Sequence, residues 1–220
     1  MRQRALILLP AAVLAAALAG CAWHVVEPGF GARRTVRTLN GEVADAGTAP
    51  VDVDTAAGQL AVEAWDEPRV GVTARIQCRG WSCRAARSIQ LRVAEEDGRI
   101  KVRLDGWPHV SSHGLQAMVT VRMPRGAAVD AQLGAGRIDI TGIEGDVEAH
   151  LGVGRLQLAM PEAAAARISM DTGLGEAALI SSSGRRERHS PLGASLRWEG
   201  RGRARVALHC GVGIARARLG

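Results

Sequence analysis

Gln132-Leu133-Gly134-Ala135-Gly136-Arg137-Ile138-Asp139-Ile140 is the stretch that decides the fold. On both sides of its Gly-Ala-Gly centre every second residue is aliphatic, the mark of a strand with one buried face, and the glycines break that alternation with a corner. Four more stretches share the plan: 54–62 around Ala56-Ala57-Gly58, 150–158 around Gly152-Val153-Gly154, 171–179 around Gly173-Leu174-Gly175, and 209–217 around Gly211-Val212-Gly213. Before the corner, Val129, Ala131 and Leu133 align with Val147, Ala149 and Leu151, with Ile168, Met170 and Thr172, and with Val206, Leu208 and Cys210. After it, Ile138 and Ile140 align with Leu156 and Leu158, with Ala177 and Leu179, and with Ala215 and Ala217. Glycine suits such a bend because it has no Cβ to oppose a positive φ.

Spacing narrows the architecture. Gly134 to Gly152 is eighteen residues, Gly152 to Gly173 twenty-one, and Gly173 to Gly211 thirty-eight, close to twice nineteen. A period near twenty is that of stacked coils, each of which buries its face only against its neighbours. The expected fold is therefore all-β: a parallel β-helix-like solenoid of Gly-x-Gly-cornered coils over 125–220, preceded by an antiparallel β-meander over 51–124. A meander of hairpins turning at the glycine pairs is the alternative. Within 51–124, alternating runs at 70–76, 89–93, 100–104 and 115–123 give the strands, and the turn at 95–99 joins two of them as a hairpin. An edge strand is expected at 35–39, an exposed loop at 181–191, a short strand at 194–198, and a single turn of helix near 161–166.

The N-terminus carries an address. Met1-Arg2-Gln3-Arg4 precedes an uncharged stretch, 5–20, that ends in Leu18-Ala19-Gly20-Cys21. These four residues resemble a bacterial lipobox. The resemblance implies removal of a signal peptide, 1–20, and attachment of lipid (a diacylglycerol thioether, with palmitate) to Cys21. Residues 21–50 then form a tether, and 51–220 a single all-β domain. With Ala22 after the cysteine, the implied location is the outer membrane of the cell envelope, facing the periplasm.

Composition limits the partners. The chain has 220 residues, 47% of them hydrophobic, which suits a folded core, and a net charge of +6 with a pI near 10.3. Export removes nucleic acid as a partner and leaves the membrane through the lipid anchor, with peptidoglycan, lipopolysaccharide or an envelope protein beside it. Arg201, Arg203, Arg205, Arg216 and Arg218 are the candidate polyanion contacts; equally, they can blunt a sheet edge. Cys78 and Cys83 are spaced for a disulfide in an oxidising compartment. Cys210 lies in an inward column and reads as a buried free thiol, with pairing to Cys78 or Cys83 as the alternative.

Little in the chain points to catalysis. The outward column before the corners contains Asp54, Gln132, His150, Asp171 and His209, and stacking is expected to bring His150 beside Asp171 as an ion pair or weak metal site. Arg137, Arg155 and Glu176 form a second outward column after the corner. His109 and His113 are four apart, without the glutamate of the helical zinc-hydrolase pattern. The glycine corners lack the third glycine of a dinucleotide fingerprint, and no Gly-x-Ser-x-Gly elbow is present. No catalytic residue, cofactor or metal ligand is assigned, and the expected protein is not an enzyme.

Val53-Asp54-Thr55 with Gly58-Gln59-Leu60-Ala61-Val62, the strand Val119-Thr120-Val121-Arg122-Met123-Pro124, and the successive Gly-x-Gly coils resemble the bacterial putative-adhesin domain family. The resemblance runs over 51–219. It implies an exported or envelope β-solenoid domain of unassigned role, and it supplies no catalytic residues. The function expected is a lipid-anchored envelope scaffold or binding surface, with anionic envelope glycan as its ligand. A partner protein in envelope-stress signalling is the alternative, and a metal-dependent envelope enzyme the third reading.

Overall fold

The computed structural model describes residues 34–44, 46–108, 114–190 and 192–220. The signal segment, Cys21, His109 and His113 lie outside the described residues. Twelve strands form one sheet: β1 (Arg34–Val43), β2 (Val51–Trp65), β3 (Val70–Cys78), β4 (Gln90–Glu96), β5 (Arg99–Asp105), β6 (Leu115–Pro124), β7 (Val129–Thr141), β8 (Val147–Met160), β9 (Ala165–Ser181), β10 (Gly184–Ser190), β11 (Ala194–Glu199) and β12 (Ala204–Leu219). Five long strands, each bent once at its glycine corner, lie parallel in the order β2, β7, β8, β12, β9. Their register is the one the repeats predict. Thr55, Leu133, Leu151, Cys210 and Thr172 form one buried column, and Leu60, Ile138, Leu156, Ala215 and Ala177 another.

Two features of the order differ from expectation. First, β12 does not extend the stack beyond β9; it lies between β8 and β9. After β9 the chain doubles back antiparallel along that strand, as β10 on its second half and β11 on its first, so the outer side of β9 is taken. The return link is held at the base of β9, where Gly202 N–H and Arg203 N–H donate to Ala165 O and Ala164 O, both at 2.9 Å. The thirty-eight residues from Gly173 to Gly211 are thus one excursion, and the stretch expected as a loop over 181–191 contains strand β10. Second, β2 is not part of a meander, because it runs parallel to β5, β6 and β7. The antiparallel pairs at this end are β4 with β5, β3 with β6, and β1 with β3. Helical turns are short: 3-10 turns at Gly80–Cys83, Ala85–Arg87 and Glu162–Ala164.

The parallel strands are flanked by rungs made in two pieces. β5 covers only Val51 to Asp54 of β2 while β6 covers Gly58 to Trp65, and at the other end β11 covers Arg167 to Thr172 of β9 while β10 covers Gly175 to Ser181. This arrangement explains where glycine is needed. The second corner glycine has φ of +137° at Gly136 and +140° at Gly154, and a Cβ on Gly136 would stand 1.9 Å from Gly58 O. The first glycine answers to crowding instead: a Cβ on Gly134 would stand 2.5 Å from Ala56 O. On its own outer side, Ala56 has no strand over it, since β5 stops opposite Asp54 and β6 starts opposite Gly58. Alanine fits there, so β2 reads Ala-Ala-Gly where the others read Gly-x-Gly.

Candidate binding face at the glycine corner

The in-register strands place the outward residues before the corner in a ladder: Asp54, Gln132, His150, His209, Asp171. His209 stands between His150 and Asp171, so the expected contact of His150 with Asp171 is replaced by two others. The His150 and His209 rings stack, with centroids 4.8 Å apart and planes 13° from parallel, and His209 Nδ1 is 3.9 Å from Asp171 Oδ2. Glu148 extends the ladder, its Oε1 lying 3.0 Å from His150 Nε2. Among the described residues no group of three or more His, Cys, Asp or Glu is arranged to hold a metal ion.

Beside the ladder runs a shallow groove of about 510 Å³, lined by Asp54, Gln132, His150, His209 and the corner glycines. Its floor is low because the columns there carry no Cβ. One residue further along the strands runs a ridge that alternation does not reveal, formed by the middle residues of three corners. Val153, Val212 and Leu174 are 54%, 44% and 46% exposed, a continuous aliphatic line at the apex of the bend. The signal was the aliphatic residue inside Gly-Val-Gly and Gly-Leu-Gly, which belongs to neither face of the strand pattern.

The column after the corner is Arg137, Arg155, Ile214 and Glu176. Arg137 is tied to Asp139 at 2.6 Å and to Gln157 at 2.8 Å, and Glu176 accepts from Arg216 at 3.2 Å. Arg155 is exposed and makes no hydrogen bond or ion pair among the described residues. Its guanidinium carries an unpaired positive charge on the corner face, as Asp54 in the ladder carries an unpaired negative one.

The five candidate polyanion arginines fall at the two ends of β12. Arg201, Arg203 and Arg205 precede or open it, and Arg216 and Arg218 close it, the two groups meeting around residues 160–164 through Gly220 N–H to Met160 O and Arg203 N–H to Ala164 O. Asp146 binds Arg205 at its backbone N–H, 2.7 Å, and faces its guanidinium at 3.4 Å, while Arg216 is held by Glu176. Arg218 faces Ala159 and Ile180 across its neighbours. A second depression, about 420 Å³, sits by Trp65, Arg69, Arg75 and Arg122; Arg69 is paired with Glu42 and Glu67 and Arg122 with Glu63, while Arg75 is exposed and makes no ion pair among the described residues.

Cys78 and Cys83 are disulfide-bonded, with Cα atoms 5.0 Å apart. Cys210 is a free, buried thiol, and burial pushes its pKa up, away from the reactive thiolate.

A scan against protein-family models gives no match, and a search of curated proteins gives none. Solved structures do match. One is a putative cell adhesion protein from Clostridium sporogenes, 11% identical, with a TM-score of 0.52 over 84% of this chain and 99% of that one. Another is a putative adhesin from Bacteroides fragilis, 10% identical over 83% of this chain and 98% of that one, at a TM-score of 0.26, too low for a common fold to be read from it. The first likeness shows an all-β fold shared with that bacterial protein.

Proposed function

We propose that the chain is a non-catalytic, lipid-anchored binding protein of the bacterial envelope. In this reading the bent parallel strands are coils of a β-solenoid, and the corner face meets an anionic envelope glycan such as peptidoglycan or lipopolysaccharide. The observation that carries it is the open, glycine-floored groove, with a polar ladder on one side and the unpaired Arg155 beyond the ridge. Rungs recur about every 4.8 Å, so the groove offers a periodic row of hydrogen-bonding groups to an extended polymer. The name of the Clostridium sporogenes protein agrees with an adhesive or binding role at the cell surface. Lipid on Cys21, export and an outer-membrane position facing the periplasm rest on the lipobox resemblance.

The test is pull-down of the oxidised full chain on purified peptidoglycan and on lipopolysaccharide across a salt series. Saturable binding that weakens with salt and falls on Arg155→Gln, Arg216→Gln or Arg218→Gln is expected. No binding at low salt overturns the glycan reading. The aliphatic ridge favours a second reading, a protein partner in envelope signalling, for which Val153→Asp would abolish co-purification while glycan binding stays absent.

A further inference from the structure

The most exposed aromatic side chain among the described residues is not on the corner face. Trp81 is 75% exposed, in the 3-10 turn Gly80–Cys83 closed by the Cys78–Cys83 disulfide. The turn is rigid for its size. Ser82 Oγ donates to Arg79 O at 2.8 Å and accepts from Arg79 N–H at 3.3 Å, while Arg37 Nη1 donates to Arg87 O at 2.6 Å and Ile89 O at 2.8 Å, tying the following turn to β1. A constrained loop that still keeps an indole in water holds it there for a partner, since burying that ring is among the largest apolar gains a side chain offers.

Charge says which partner. Between Glu67 and Glu95 the sequence has no acidic residue and carries Arg69, Arg75, Arg79, Arg84, Arg87 and Arg92. Arg79, Arg84 and Arg87 are exposed around Trp81, and Arg34, opposite Cys78 on β1, adds a fourth exposed cation. The acid that pairing brings nearest is Asp105, opposite Gln90, and it is bound to Arg92 at 3.1 Å. The uncharged residues next to it in the chain, Gly80, Ser82 and Ala85, are small. A protein interface needs a broader apolar core than one ring. A headgroup layer needs only an amphipathic indole at its own depth and cations for its phosphates.

We propose that the Trp81 turn is a membrane-contact site, its indole seated among anionic phospholipid headgroups and Arg84 and Arg87 on their phosphates. β1 opens at Arg34, opposite Cys78, so the sheet's first strand starts beside the turn. The chemistry of the turn does not rest on the lipid-anchor reading.

The experiment uses the oxidised full chain with phosphatidylglycerol vesicles, whose acyl chains are either brominated or plain. Tryptophan fluorescence should be quenched by the brominated lipid, and Trp81→Phe, at an exposed position, should remove a distinct share of that quenching. Arg84→Gln and Arg87→Gln should each raise the lipid needed for half-maximal quenching roughly fivefold. Equal quenching of the wild-type chain and Trp81→Phe overturns the proposal, as does Trp81-dependent quenching of equal size in phosphatidylcholine vesicles. The intact mass of the chain from its native host reads lipid on Cys21 separately. Unlipidated chain with Trp81-dependent quenching breaks the anchor reading alone; lipidated chain without it breaks this proposal alone.

Discussion

The middle of the sheet and its two ends are built from the same kind of rung under different constraints. In the middle, β7, β8 and β12 have a continuous strand on either side, and every corner glycine is pressed against a neighbour's backbone. At the ends, β5 with β6 and β10 with β11 make each rung in two pieces, with no strand pairing opposite the corner. The pairs teach that the first corner glycine is needed where a neighbouring rung's backbone stands over it, as Gly211 O does at Gly173 but nothing does at Ala56, and that a hydroxyl in the buried columns is satisfied only where a flanking rung supplies a partner. Thr172 shows this, its Oγ1 donating to Ala194 O on β11 at 3.3 Å; Thr55, in the same column on β2, has a buried Oγ1 with no partner.

Four sets of substitutions sharpen or break that contrast. Gly136→Ala should be the most damaging, because a positive φ and a carbonyl at 1.9 Å both oppose it. A loss of about 3 kcal/mol or more is expected in urea unfolding. Gly184→Ala, at φ +113° with nothing within 4 Å, should cost about 1–2 kcal/mol for backbone strain alone. Equal losses at the two sites would end the distinction. Next, Gly134→Ala should cost about 2 kcal/mol through crowding on Ala56 O, whereas the reverse change at the open corner, Ala56→Gly, should cost about 1 kcal/mol or less.

Third, Thr55→Val should stabilise by about 1 kcal/mol and Thr172→Val destabilise by a similar amount, since one removes an orphaned hydroxyl and the other a bonded one. The unfolding midpoints should therefore move in opposite directions. The smallest effect concerns Glu162, which accepts Ser182 N–H and Ser182 Oγ–H, both at 2.7 Å, and these bonds hold its carboxyl below the usual carboxylate range. A lowered folded-state pKa gives stability that is present above the unfolded-state value and lost as pH falls through the folded one. The stability difference between wild type and Glu162→Gln should thus be constant near neutrality and close at acid pH, below about 4. A difference independent of pH would show that the carboxylate does not hold the turn between β9 and β10.

The buried columns were legible because side-chain alternation records which face is covered, and the alignment of Leu133 with Leu151 and Cys210 recurs as strand register. Strand order was not legible. Any of the aligned repeats satisfies the same columns, and only the backbone pairing of β10 and β11 to β9 forces β12 inward. β10 itself carries no period that marks a strand, since its pairing is a matter of N–H and C=O groups along Gly175 to Ser181. The polar ladder was legible as a set of residues but not as a sequence of contacts, so the stacking of His150 on His209 appeared only with the topology. The aliphatic ridge and the exposure of Trp81 belong to corners and turns, where a two-residue period has no meaning.

Everything on the corner face depends on β12 lying between β8 and β9. Paired cysteines test that placement directly, in a chain carrying Cys210→Ser. His150→Cys with His209→Cys should form a disulfide on mild oxidation, because directly opposed residues on adjacent strands lie within disulfide reach. His150→Cys with Asp171→Cys should not, being separated by a whole strand, about 9–10 Å. Non-reducing mass spectrometry of the two variants gives the answer: a bond in the first alone is the predicted result, and a bond in the second alone would return β12 to the end of the stack and contradict this fold.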